Sequence, residues 1–504
     1  MRLIHKFSLA SGILSLIAAT GCGSGGAIVT TTSENYSNAS LKGSYVYEIH
    51  GMESATLQSQ PYREYGVFTA DGAGNITAQS DDASTASGRG FSCNASCGSY
   101  QVASDGTGLM SLNNSAFSAS FSPALGPITL ALTLTRSTKV YLMEADVFAS
   151  GGGLAEFQDS TAVSTTPSGT FVFRLHQASS AQGQGPAAQV GVVTLPGGGV
   201  NGSMDQNLGG TFSSSTVAWT MGAPAASGRG TGSFTDSTSF TTNFVYYIVN
   251  GGKVALLVSN SGAVGSGSAE AQTGSVSGGL SGSYAFGSRG DDSNFLDGVA
   301  TVGQFTAASG TISGVEDVMQ DGSYSNGNLS GSYSATANGR VAVSLNSGAI
   351  QQVFWMVSPA RAFFLTSSSS QVEDGSADLQ TVNSFSASTM KGQFALVMDG
   401  IDLTSFPFNG VVGTLARVGA LQFDGAGKLT LAELANDSLT GSGGQSPGGL
   451  SGTYTVAANG RAAGNLVSSN GGLTLVMYGV SGSDAYVLQV DALTNTSGSV
   501  ELQQ

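Results

Sequence analysis

The chain has 504 residues, 40 % hydrophobic and only 10 % charged, with a formal charge of −15. Gly and Pro together make up about 17 %, below the ~25–30 % of low-complexity disordered chains, so the composition fits three or four folded, turn-rich, all-β domains. The acidity excludes a nucleic-acid binder, which needs a basic footprint, and a peripheral protein held to anionic lipid by basic charge.

The N-terminus opens on a short basic stretch, M-R-L-I-H-K, followed by an apolar run over residues 7–19. That run is short for a membrane span of ~20 residues and right for the h-region of a signal peptide. It ends in A-A-T-G-C (18–22). Small residues before a cysteine resemble the lipobox of bacterial lipoproteins, with Gly21 before the cleavage point and Cys22 after it. Ala19 stands where that family most often has Leu. The resemblance implies removal of residues 1–21 and acylation of Cys22, with the acyl chains binding the membrane as partner. An ordinary cleaved signal peptide with an incidental cysteine is the alternative. Losing Arg2 and Lys6 leaves a mature charge near −17. Gly23, rather than Asp, follows Cys22, so the same resemblance favours the outer membrane, periplasmic-facing or surface-exposed. Residues 22–39, rich in Gly, Ser, Thr and Asn, read as a flexible tether.

Four repeats follow. A closing phrase recurs as G-L-A-E-F-Q (153–158), G-S-A-E-A-Q (267–272), G-S-A-D-L-Q (375–380) and G-S-V-E-L-Q (498–503). Opening phrases stand at L-K-G-S-Y (41–45), P-S-G-T-F (167–171), L-S-G-S-Y (280–284) and M-K-G-Q-F (390–394). They define units at 40–159, 167–273, 279–381 and 389–504, of about 105–120 residues, joined by Ser/Thr/Gly-rich stretches. A mid-unit phrase stands at C-G-S-Y-Q-V-A-S-D-G (97–106) and, ending in A-N-G-R, in the third and fourth units (329–340 and 450–461); the second unit matches it only loosely (209–219).

Within a unit, alternation marks half-buried strands. Tyr45, Tyr47 and Ile49 share one face, and Val46, Glu48 and His50 the other. Turn residues punctuate the strands about every ten residues, which suits hairpins. D-G-A-G-N (71–75) reads as such a turn: Asp-Gly and Gly-Asn supply positive φ. A calcium loop would want oxygens at alternate positions, and Ala73 occupies one of them. Cys93 and Cys97 suit a local disulfide, since export leads through an oxidising compartment. Free thiols or a metal are the alternatives.

The expected fold is all-β: four tandem antiparallel meanders, each hiding its edges in a small up-and-down barrel, or else in a β-sandwich. The whole pattern resembles uncharacterised acidobacterial-type lipoproteins with tandem Gly/Ser-rich repeats built on L-x-G-x-Y, F-x-x-D-G-x-G and G-S-x-x-x-Q. That resemblance bears on location and architecture and brings no activity.

Carboxylates are the one recurrent chemical theme. Four or five residues after each turn's apolar residue stands an acid: Asp81, Asp205, Asp317 and Glu433, with Asp82 and Glu316 beside two of them. They are candidates for a cation- or ligand-binding rim, or else solvated strand ends that discourage edge pairing. Glu156, Glu270, Asp378 and Glu501, in the closing phrases, read as outward strand positions. His50 and His176 occupy the same repeat position, where Arg289 and Asp399 stand in the other units, and read as exposed strand residues. S-R-G-D-D-S (288–293) contains Arg-Gly-Asp, which a turn explains. No catalytic residues, resident metal or cofactor are expected. The leading expectation is a lipid-anchored envelope or surface protein, four beads on a tether, with a structural, adhesive or matrix-contact role. A barrel protein binding a small ligand, glycan or cation is the alternative.

Overall fold

The computed structural model describes residues 35–503, apart from 55–59, 86–88, 121–123, 136–137, 184, 198, 293, 349, 440–442, 445–447 and 469–470. The signal segment, Cys22 and the tether up to residue 34 lie outside the described residues. Among those described, no helix is long and apolar enough to cross a membrane.

The strands form four antiparallel barrels of eight strands each. They run over Lys42–Phe157, Gly169–Ala271, Gly282–Leu379 and Lys391–Leu502. In each, the first strand pairs with both the second and the last, which closes the sheet and removes its edges. The first barrel carries one extra strand, Arg89–Cys93, paired to Asn75–Ser84. Beyond it lies Cys97, its Cα 5.7 Å from that of Cys93, within disulfide reach.

Inward residues fill the barrels. In the second, Trp219 stacks on Phe234 at 5.1 Å and touches Phe173 at 4.8 Å. In the third, Phe354 stacks on Phe364 at 4.7 Å. In the first, a single helical turn, Ala116–Ala119, brings Phe117 to within 4.2 Å of Tyr62. Each first strand aims a large inward side chain at a glycine of the second: Tyr47 faces Gly66, Phe173 Gly191, Phe286 Gly303 and Leu396 Gly419.

The D-G-A-G-N stretch is a turn. Asp71 Oδ1 accepts from the amides of Ala73 (2.7 Å) and Asn75 (3.0 Å). The Asn75 side chain and these amides bring the Asp71 carboxyl down to about 2. Asp424 caps the matching turn through Ala426 and Lys428.

The expectation of separate beads on a tether needs correcting. Residues 34–504 form one compact unit. The outer face of each barrel's opening strands packs on the closing strands of the next. Apolar clusters span the joints: Tyr65 with Tyr247, Val190 with Trp355, Val302 with Tyr478, and Val418 with Tyr141. The last of these joins the fourth barrel to the first, so the row closes into a ring. Residues 35–39, expected in the tether, are docked. The Tyr36 hydroxyl donates to Gln503 O at 2.6 Å, and Asn38 Oδ1 accepts from Val102 N at 2.8 Å.

Candidate functional site

The recurrent acids do not form a rim. Asp205 and Asp317 are fully buried in joints between barrels. Arg340 Nε and Nη2 each reach Asp205 at 2.7 Å, and Trp355 Nε1 donates at 2.8 Å. Arg461 forks onto Asp317 at 2.7 and 2.6 Å, with the Tyr478 hydroxyl at 2.6 Å. Burial pushes the Asp317 carboxyl up, but Arg461 and the tyrosine hydroxyls outweigh it and hold it below the usual range. The first joint repeats this device with Asp82, not Asp81. Arg229 holds Asp82 at 2.6 and 2.7 Å, and Tyr247 donates to it at 2.6 Å. Bidentate guanidinium–carboxylate pairs like these fix geometry as well as charge.

Asp81 and Glu433 point the other way, into their barrels. Asp81 accepts from Tyr47 at 2.7 Å and from Gln79 at 2.9 Å, beside buried Glu64, and burial pushes its pKa up. Glu433 accepts from Arg417 at 2.6 Å within the fourth barrel, and burial raises it too. Strand alternation explains the difference: neighbouring residues face opposite sides of the sheet. Among the described residues no group of three His, Cys, Asp or Glu is placed to hold a metal ion.

The fourth joint lacks the pair on both sides. Ladder register puts Leu434 where Asp82, Asp205 and Asp317 stand, since it faces Val418 as they face Tyr65, Val190 and Val302. Thr107, paired with Thr133, stands where Arg229, Arg340 and Arg461 pair with Tyr247, Trp355 and Tyr478. Donors and acceptor are therefore absent together, and no buried charge is stranded. Asn436 serves this joint, as Asn207 serves the second alongside its ion pair. The Asn436 Nδ2 lies 2.8, 3.0 and 2.8 Å from the carbonyls of Glu144, Asp146 and Ala149.

The closing phrases supply a second fastening at every joint. Gln158, Gln272, Gln380 and Gln503 each donate through Nε2 to two backbone carbonyls of the next barrel, at 2.8–3.1 Å. The acids two residues earlier do point outward, yet three of them meet a cation on the next barrel: Glu156 meets Lys253, Glu270 meets Arg361 and Glu501 meets Lys139. Asp378 faces a position held by Asp484 and takes Arg361 and Tyr486 instead.

The first strands of the four barrels meet at the ring's axis, where the expectation of exposed histidines fails. His50 Nε2 lies 2.9 Å from Asp399 Oδ2, and Arg289 lies 2.9 Å from the same carboxylate. His176 contacts Asp374 at 2.6 Å and Asp291 at 3.3 Å. Burial would lower the His176 pKa, but the two carboxylates outweigh it and raise it to about 10. The Arg-Gly-Asp tripeptide is no turn. It lies within the strand Gly282–Asp292, with Asp291 buried. His50, His176, Arg289 and Asp374 border a cavity of about 240 Å³, which also takes in Arg63, Arg174, Lys253 and Arg361.

Sequence reasoning missed the arginines. The A-N-G-R ends of the mid-unit phrases marked Arg340 and Arg461, and S-G-R-G (227–230) marked Arg229. A cation recurring on one repeat and an acid on another is the signal that pairs them.

No protein-family model matches the chain, and no curated protein matches it. Among solved structures it is similar to a Transferrin Binding Protein B double mutant from Haemophilus parasuis Hp5, with 11 % identity and a TM-score of 0.20, over 74 % of this chain and 84 % of that one. It is similar too to intact Ap-TbpB (N and C lobes), with 9 % identity and a TM-score of 0.19, over 74 % and 86 %. Likeness at this level lends no weight to any activity.

Proposed function

We propose that the chain is a lipid-anchored protein of the cell envelope with a structural, adhesive or matrix-contact role and no catalytic step. The observation that carries this reading is the use the fold makes of its repeated ionisable groups. Asp82, Asp205 and Asp317, with their arginines, are spent on holding barrel to barrel. The product is a stiff body, which suits a contact surface held away from a membrane. Anchoring through Cys22 rests on A-A-T-G-C alone, and export on that route would oxidise Cys93 and Cys97. Ligand binding inside each barrel has little room, because the aromatic cores fill the interiors.

The test uses cells that express the full chain, beside cells that express Cys22→Ser. Wild-type protein should take up labelled palmitate and sediment with outer-membrane vesicles, and Cys22→Ser should do neither. Wild-type cells should also retain isolated extracellular matrix better than Cys22→Ser cells. Unlabelled wild-type protein sinks the anchor, and equal matrix retention sinks the contact role.

A further inference from the structure

We propose that the axial cavity binds a small hydroxylated carboxylate of monosaccharide size, with its carboxylate seated on Arg63. This reading is independent of how the chain is anchored.

Five of the chain's 17 Lys and Arg residues border this one cavity. Four have carboxylate partners: Arg174 with Asp374, Lys253 with Glu156, Arg289 with Asp399, and Arg361 with Glu270. Arg63 does not. Its side chain belongs to a residue only 6 % exposed, and among the described residues no carboxylate lies within 4.0 Å of it. Its hydrogen bond is from Nη1 to the carbonyl of Tyr62 at 2.9 Å. A guanidinium has five N–H donors in a planar fork that matches a carboxylate, and a buried charge normally has a partner. Arg63 is also the cross-strand neighbour of His50. Burial pushes the Asp399 carboxyl up, yet Arg289, His50 and Arg63 together hold it below its ordinary range. Two guanidinium groups and an imidazole thus surround one carboxylate, and Arg63 keeps free donors for a second.

The rest of the wall sets the ligand's class. Glu48, Asp297 and Asp374 repel a dianion, which favours a monoanion over phosphate. The same carboxylates, with Ser266 and Ser268, offer acceptors and donors to hydroxyl groups. At about 240 Å³ the space is smaller than the ~300–1,000 Å³ typical of drug-sized ligands, and suits one sugar ring. Arg174 and Arg361, both on the wall, keep 34 % of their side chains exposed, so the cavity opens to solvent.

Titration calorimetry on the detergent-solubilised full chain tests this, with glucuronate as probe and glucose and acetate as controls. Glucuronate should bind one per chain, with glucose and acetate at least about tenfold weaker. Arg63→Met should weaken glucuronate by about tenfold or more and leave the melting temperature equal or higher, because it removes a buried unpaired charge. Arg63→Lys, which keeps the charge but not the fork, should fall between the two and covers the case in which Arg63→Met does not fold. No heat with glucuronate, or glucuronate affinity unchanged in either variant, overturns the proposal. Acetate binding as tightly as glucuronate would reveal a bare anion site and overturn the sugar-acid assignment.

Discussion

Each charged joint sets a buried aspartate against an arginine that is about a quarter to a third exposed. Removing one partner of a buried pair typically costs about 3–5 kcal/mol, while replacing both with apolar groups is often neutral. Arg340→Leu should therefore lower the urea midpoint sharply, because Asp205 is left buried without its guanidinium partner. Asp205→Leu should cost less, since Arg340 can turn toward water. The double variant removes the ion pair as the natural fourth joint does, though Trp355 Nε1 loses its acceptor, and it should recover part of the loss; a double variant as weak as Arg340→Leu would refute this. His176 makes a pH prediction. Its folded pKa of about 10 exceeds the unfolded 6.5, so its contribution is complete below about 6.5 and fades as the pH rises toward 10. The gap in melting temperature between wild type and His176→Gln should narrow across that window. A gap independent of pH would mean that His176 is held neutral.

At the scale of strands and turns, the repeat phrases made the barrels legible, because they mark where each meander opens and closes. Alternation puts Tyr45, Tyr47 and Ile49 on one buried face, as found, while His50 on the other face is covered rather than exposed. Period two gives the side of a sheet but not what covers that side. The acids were misaligned for a local reason. A register shift between Thr69 and Ala70 adds one residue to the first barrel's hairpin, so the count from Ile76 must reach Asp82 rather than Asp81. In the fourth barrel the same count from Leu429 lands on Leu434, and the acid at Glu433 belongs to the inner face. The glycines opposite the first strand carry their own prediction. A Cβ on Gly303 would stand 2.4 Å from the Phe286 ring and 2.7 Å from Val315 O. Gly303→Ala should destabilise by about 1–3 kcal/mol, as overpacking does. Adding Phe286→Leu should relieve part of it, and two losses that simply add would show that the ring is not the obstacle.

The whole molecule coheres through four joints, of which the fourth, among the described residues, lacks the buried aspartate–arginine pair. That joint leans on Asn436, Gln503 and the partly exposed Glu501–Lys139 pair, so it is where the ring should yield first. Asn436→Leu strips three carbonyls of the first barrel of their donor. Calorimetry should then show an early transition, separate from the main one, whereas Asn207→Leu at a charged joint should lower a single transition. Matching profiles for the two variants would mean that the joints are equivalent. Head-to-tail contacts of one kind build either an open filament or a closed circle, according to whether the rotation per step closes. Here it closes after four, and the hydroxyl of Tyr36 touches the carbonyl of Gln503. The polypeptide could therefore be cut between any two barrels and its old ends spliced without losing a joint. A chain one barrel longer would have no such freedom: its surplus unit would find both neighbouring faces taken and would be left to seek another molecule.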